Sequence, residues 1–108
     1  MKFEISNSKL EQVIFKYLDN KDFVIKETYD DYYFLENEGD EDSLIRVKKD
    51  GMVCFVYFNL RNEIESFFSI NKNRIEYILT KYVENKLNIK VSYTLFRNIG
   101  VLSSLRVN

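Results

Sequence analysis

The chain of 108 residues has no histidine, no proline and no tryptophan, a single cysteine and three glycines. Each shortage removes a class of function. Without histidine, the commonest general base and metal ligand is missing. Without proline there are no rigid turns and no proline-dependent recognition segments. A lone cysteine, Cys54, cannot form an intramolecular disulfide, so a reducing compartment is the expected home. Gly39, Gly51 and Gly100 stand apart from one another, so no glycine-rich phosphate loop can be assembled. The longest apolar run, Met52–Phe58, is seven residues, far short of the ~20 that a membrane helix needs. Glu4 falls where a signal peptide would begin its apolar core, so no export signal and a cytoplasmic location are expected.

What is present fits one globular domain over residues 1–108. Apolar residues make up 45% and charged residues 31%, the balance of a chain that can bury a core. Aromatics reach 16%, all Phe and Tyr. The abundance of Phe, Tyr, Ile, Asn and Lys, whose codons are AT-rich, suggests a bacterial or phage source.

The charges are unevenly placed. Glu27–Asp42 carries eight carboxylates (Glu27, Asp30, Asp31, Glu36, Glu38, Asp40, Glu41 and Asp42) and no Lys or Arg. Tyr29, Tyr32, Tyr33, Phe34 and Leu35 are threaded among them. The formal net charge of −1 therefore hides a local −8 set against +7 elsewhere.

Hydrophobic periodicity predicts the elements. Ser8-Lys-Leu-Glu11 reads as a capping box, followed by a stripe of Leu10, Val13, Ile14, Tyr17 and Leu18, so a helix is expected at about 9–20. Phe23–Thr28 and Tyr32–Glu36 read as strands joined by a turn at Asp30-Asp31. Asn37–Asp42, with no apolar residue, reads as a loop. Leu44–Lys49 and Met52–Phe58 flank Asp50-Gly51, the dipeptide of a two-residue type I′ hairpin. That register pairs Val47 with Cys54 and Ile45 with Val56 on the core face. Arg46, Lys48, Phe55 and Tyr57 lie on the other face, which is expected to be open. Ile64–Ile70 has the composition of a further strand. Ile75, Ile78, Leu79, Tyr82, Val83 and Leu87 predict a second helix at about 72–87, capped by Asn71 or Asn73. Ile89–Leu95 alternates as a strand, Asn98–Gly100 resembles a turn, and Val101–Val107 a weak last strand. Phe3–Ile5 could start the chain as a short strand. The expected fold is α+β, with two amphipathic helices on one face of a mainly antiparallel sheet of five to six strands. The order is α-β-β-β-β-(β)-α-β-(β).

Constellations for catalysis and metal binding are poor. Cys54 sits mid-strand on the predicted core face with no histidine to activate it, so it reads as a small buried hydrophobe. An EF-hand loop anchored with Gly39 at its sixth position would put Phe34 first and Ile45 twelfth, and the motif fails. Phe55-Val56-Tyr57-Phe58 is similar to the end of the RNA-recognition octapeptide. Its front half does not match, with Gly51 where a basic residue belongs and Met52 where glycine does. No enzyme activity, cofactor or metal is expected.

The acidic segment carries the functional expectation. Its plain reading is a solvated hairpin and loop. Solubility does not need tyrosines beside the acids, however, and Tyr is favoured at interface hot spots while complementary charge speeds encounter. The expected function is a non-enzymatic interaction protein, in concrete form an immunity- or antitoxin-like inhibitor of a basic partner such as a nuclease toxin. In size, charge style and element mix the chain is similar to small bacterial immunity proteins, a likeness that rests on no motif. Glu27, Asp30, Asp31, Tyr32, Glu36, Glu38, Asp40, Glu41 and Asp42 are the expected contact residues. One alternative is a phage- or mobile-element-encoded DNA mimic. Another is a nucleic-acid-binding module using Arg46, Lys48, Phe55 and Tyr57, and a homodimer is compatible with each. Lys72 and Arg74 fall in the first turn of the second helix, where the macrodipole disfavours them. The acidic loop folding back, or that of a second subunit, would offset this.

Overall fold

The stripe of Leu10, Ile14 and Leu18 is buried, and it gives α1 (Asn7–Asn20) its inner face. The computed structural model describes residues 7–98 and 100–101. After α1 the chain forms β1 (Val24–Glu27), β2 (Asp31–Leu35), β3 (Asp42–Ser43), β4 (Ile45–Lys48) and β5 (Val53–Tyr57). Two consecutive helices follow, α2 (Phe58–Phe68) and α3 (Lys72–Leu87), then β6 (Tyr93–Arg97) and β7 (Gly100–Val101). The main sheet has the order β1-β2-β4-β5-β6, and β3 pairs with β7 in a separate two-stranded ladder. All pairs are antiparallel except β5 with β6, which are parallel because α2 and α3 form the crossover between them.

The helices cover the sheet face that carries Phe34, Ile45, Val47, Cys54 and Val56, all fully buried. Leu60 and Ile64 of α2 and Ile75, Ile78, Leu79 and Val83 of α3 close the other side of this core. Phe34 meets the rings of Phe23 and Tyr82, with centroids 5.8 and 6.5 Å away. No described helix is long and apolar enough to cross a membrane.

The α+β class and the β4–β5 register are as expected, including Val47 opposite Cys54 and Ile45 opposite Val56. The boundaries of α3 also agree. Asn71 Oδ1 accepts from the Arg74 N–H at 2.9 Å, and Asn88 ends the helix in the left-handed conformation.

Five expectations need correction. Residues 64–70 are not a strand, and there are three helices among the described residues, not two. Leu60, Ile64 and Phe68 recur at helical spacing, but the period starts before Ile64, inside residues that read as a loop. Tyr57 precedes α2 without any side-chain cap, so nothing in the sequence marks its start. Second, α1 begins at Asn7, which places Ser8 inside the helix and not at its cap. Third, Asp50 does not have the positive φ of a type I′ turn. The Gly51 N–H instead closes a turn on the Lys48 carbonyl at 2.9 Å, and the Asp50 carboxylate accepts from the Met52 N–H at 2.8 Å. Fourth, β6 starts at Tyr93. Ile89 and Val91 belong to the connection before it, which is tied by Val91 N–H to Glu84 Oε2 and by Ser92 N–H to the Gly51 carbonyl. Fifth, the β1–β2 turn is Tyr29-Asp30, and Asp31 is already in the strand. The expected strand at 3–5 and most of that at 101–107 lie outside the described residues.

Candidate functional site

The acidic segment is divided by the strand that runs through it. Thr28 N–H donates to the Asp31 carbonyl at 2.8 Å, which closes the β1–β2 turn with Tyr29 at its tip, 93% exposed. Glu27 lies just before this turn and pairs with Lys49 at 2.5 Å, while Asp30 is exposed within it. Glu36 follows at the other end of β2, roughly 20 Å away at the rise of an extended strand. One run in sequence is therefore two acidic patches in space.

Asp31 belongs to neither. It is 6% exposed, on the sheet face opposite the helices, with Arg46 Nη2 at 3.3 Å and Lys48 Nζ at 3.5 Å. The Tyr33 hydroxyl donates to it at 3.4 Å. Burial disfavours the Arg46 guanidinium, but the Asp31 carboxylate outweighs this and holds its pKa above the ordinary value. Burial likewise raises the Tyr33 and Tyr57 hydroxyls. Asp31 is thus an internal counter-ion. Replacing it by Ala should destabilise the fold by about 2–3 kcal/mol, less than a fully buried pair would lose because Arg46 and Lys48 keep some solvent. A lowered urea midpoint with an unchanged slope would verify this.

The same contacts correct the expectation of an open sheet face. Tyr57 is only 7% exposed, and Arg46, Lys48 and Phe55 are half-buried. The Phe55 ring already has two guanidinium groups against it, Arg46 at 5.6 Å and Arg97 at 5.5 Å. Those are the contacts a stacked base would otherwise make.

The second patch is an ordered excursion from Leu35 to Ser43. Asn37 N–H donates to Asp40 Oδ2 at 2.8 Å, and Asp40 N–H donates back to the Asn37 carbonyl at 3.2 Å. Gly39 supplies the positive φ of +89° inside this turn. Asp42 and Ser43 pair with Val101 and Gly100, and Leu44 N–H donates to the Phe34 carbonyl at 2.8 Å. Glu38, Glu41 and Asp42 are exposed, and among the described residues none of them forms an ion pair. Asp40 is half-buried and partly used by its turn. Neither Lys72 nor Arg74 is paired with the loop, so its charge is not neutralised by α3 among the described residues.

Glu36 connects the loop to the helical layer. Its carboxylate is 3.7 Å from Lys21 Nζ, which also meets Glu63 at 2.6 Å. Tyr17 and Lys21 share one face of α1 at i, i+4, or just beyond its end, and Glu63 and Phe67 share one face of α2 at the same spacing. The Tyr17 hydroxyl donates to Glu63, and burial with this bond pushes its pKa up to about 12. Glu63 and Phe67 were not among the expected contacts, because the stretch that forms α2 did not read as a helix; Tyr17 and Lys21 lie outside the acidic segment altogether.

Of the expected contact tyrosines, Tyr32 is half-buried against the core with Lys49 over its ring at 5.3 Å. Cys54 is buried, and its thiol pKa is pushed up to about 12 by burial. No group of three or more potential metal ligands occurs among the described residues. No protein-family model, curated protein or solved structure matches the chain.

Proposed function

We propose that the protein is a non-enzymatic inhibitor that binds a basic protein through the loop 36–42, in the manner of an immunity protein or antitoxin. The observation that carries this reading is the state of Glu38, Glu41 and Asp42. They are exposed and lack ion pairs among the described residues, on a loop fixed at both ends. A fixed loop loses little entropy when a partner docks, and unneutralised carboxylates accelerate encounter with a cationic surface. A nuclease whose active site must attract phosphate presents such a surface. The DNA-mimic reading has less support, because β2 interrupts the row of carboxylates and Asp31 turns inward.

The test is co-expression with the products of the adjoining reading frames. A tight complex with one of them, and loss of that protein's toxicity, is the expected result. Combined Glu38→Gln, Glu41→Gln and Asp42→Asn should weaken the complex by about 10–100-fold, while each change alters stability by no more than ~0.5 kcal/mol. Failure to bind any of these products, or a complex indifferent to the triple change, would overturn the proposal.

A further inference from the structure

Phe67 is 68% exposed at the end of α2. It is not an isolated surface apolar residue. Its ring lies 5.1 Å from Tyr17 and 5.2 Å from Phe68, while Tyr17 and Phe68 are themselves 5.2 Å apart at a right angle. Three rings in mutual contact, one of them mostly in solvent, make a rigid apolar platform. The platform directly adjoins Glu63 and, through Lys21, Glu36.

The molecule already shows how this platform holds a cation. Lys21 Nζ sits 5.4 Å from the centre of the Tyr17 ring while contacting the Glu63 carboxylate. A ring below and a carboxylate beside is the arrangement that favours a desolvated cation. Among the described residues, however, only Lys21 is paired with these two carboxylates. Lys21 faces both Glu36 and Glu63, and the Glu36 side chain remains 55% exposed with its contact at 3.7 Å. The locality keeps a negative excess even before Glu38, Glu41 and Asp42 are counted. Phe67, unlike Tyr17, has no cation over its ring among the described residues.

We infer that Phe67 is the anchor of the partner-binding surface, and that it takes an arginine side chain of the basic partner. The guanidinium stacks on the Phe67 ring, drawn there by the charge of the Glu63 and Glu36 carboxylates. This rests on the reading of the loop 36–42 as a partner surface and adds to it the apolar centre that a charged rim alone lacks. Arginine suits the position better than lysine because its planar, weakly hydrated head stacks on aromatic faces. The side chains that hold the platform come from α1 and α2, so the loop and the platform can be tested separately.

A random peptide library displayed on phage, selected on the immobilised full chain, tests the inference without a known partner. Enrichment of arginine-bearing peptides is expected. Their binding should fall by at least about tenfold in Phe67→Ala and stay within about twofold in Phe67→Trp. Circular dichroism confirms that both variants are folded. Equal binding by Phe67→Ala, enrichment of peptides without arginine, or no enrichment at all would overturn it. If neutralising Glu38, Glu41 and Asp42 abolishes peptide binding and Phe67→Ala does not, the anchor is wrong and the acidic surface stands. If Phe67→Ala alone abolishes it, the acidic-loop reading fails instead. Sedimentation of wild type and Phe67→Ala covers the remaining occupant: a dimer dissolved by Phe67→Ala would assign the platform to a second copy and overturn the inference.

Discussion

Phe34→Ala is expected to lower the unfolding free energy by about 3–5 kcal/mol, the range for deleting a buried aromatic ring. Phe34 is fully buried on the face of β2 that receives the helices, with Phe23 edge-on to it and Tyr82 tilted against it. Its removal leaves a cavity between the sheet and the helices that rigid strands cannot close. For a small domain whose whole stability is about 5–15 kcal/mol, that places the variant near the limit of folding. Urea unfolding followed by circular dichroism measures it. A loss below ~1.5 kcal/mol would mean that the helices do not rest on this strand.

Gly51→Ala is expected to cost about 2–4 kcal/mol, from a positive φ and a steric clash together. Gly51 has φ +77°, and a Cβ there would lie 2.1 Å from the carbonyl oxygen of Lys90. That oxygen is backbone and cannot rotate away. The segment before β6 would have to shift, weakening the Ser92 N–H bond to the Gly51 carbonyl, now 2.7 Å. Gly39→Ala is the control. Gly39 also has a positive φ, of +89°, but nothing lies within 4 Å of its added Cβ. It should lose only about 1 kcal/mol. Equal losses at the two glycines would contradict the packing of the segment before β6 against the β4–β5 turn.

These two positions show what could be read in advance. The β4–β5 hairpin was legible because alternation fixes a face and a one-residue slip would turn Ile45, Val47, Cys54 and Val56 outward. The turn type was not, because it depends on the later segment at Lys90–Ser92 that packs on Gly51. Helix α3 carries its stripe and both asparagine caps in the sequence, whereas α2 follows β5 directly and has no capping side chain. Burial behind the sheet was also hidden. Arg46, Lys48, Phe55 and Tyr57 read as an exposed face, yet the buried Asp31 and Tyr57 and the half-buried Arg46 and Lys48 form a polar cluster there.

The candidate surface was half legible. The excess of carboxylates in Glu27–Asp42 is a matter of counting. Which of them remain available is a matter of geometry, since Asp31 is internal, Glu27 is paired and Asp40 is bound into its turn. Tyr17 and Phe67 are distant in sequence, and their rings meet only where α1 and α2 come together. Alternation sends Tyr33 behind the sheet and sets Tyr32, half-buried, against the core, while Tyr29 stands exposed at the β1–β2 turn.

Glu38, Glu41 and Asp42, which form no ion pair among the described residues, are proposed to receive a cationic protein. The salt dependence of the isolated complex with the adjoining gene product tests this central claim most directly. Wild-type affinity should fall steadily as ionic strength rises and the Debye length shortens from ~30 Å at 0.01 M to ~8 Å at 0.15 M. The variant combining Glu38→Gln, Glu41→Gln and Asp42→Asn should bind more weakly at low salt and lose most of that dependence. Identical affinity and identical salt dependence in the two proteins would contradict the claim.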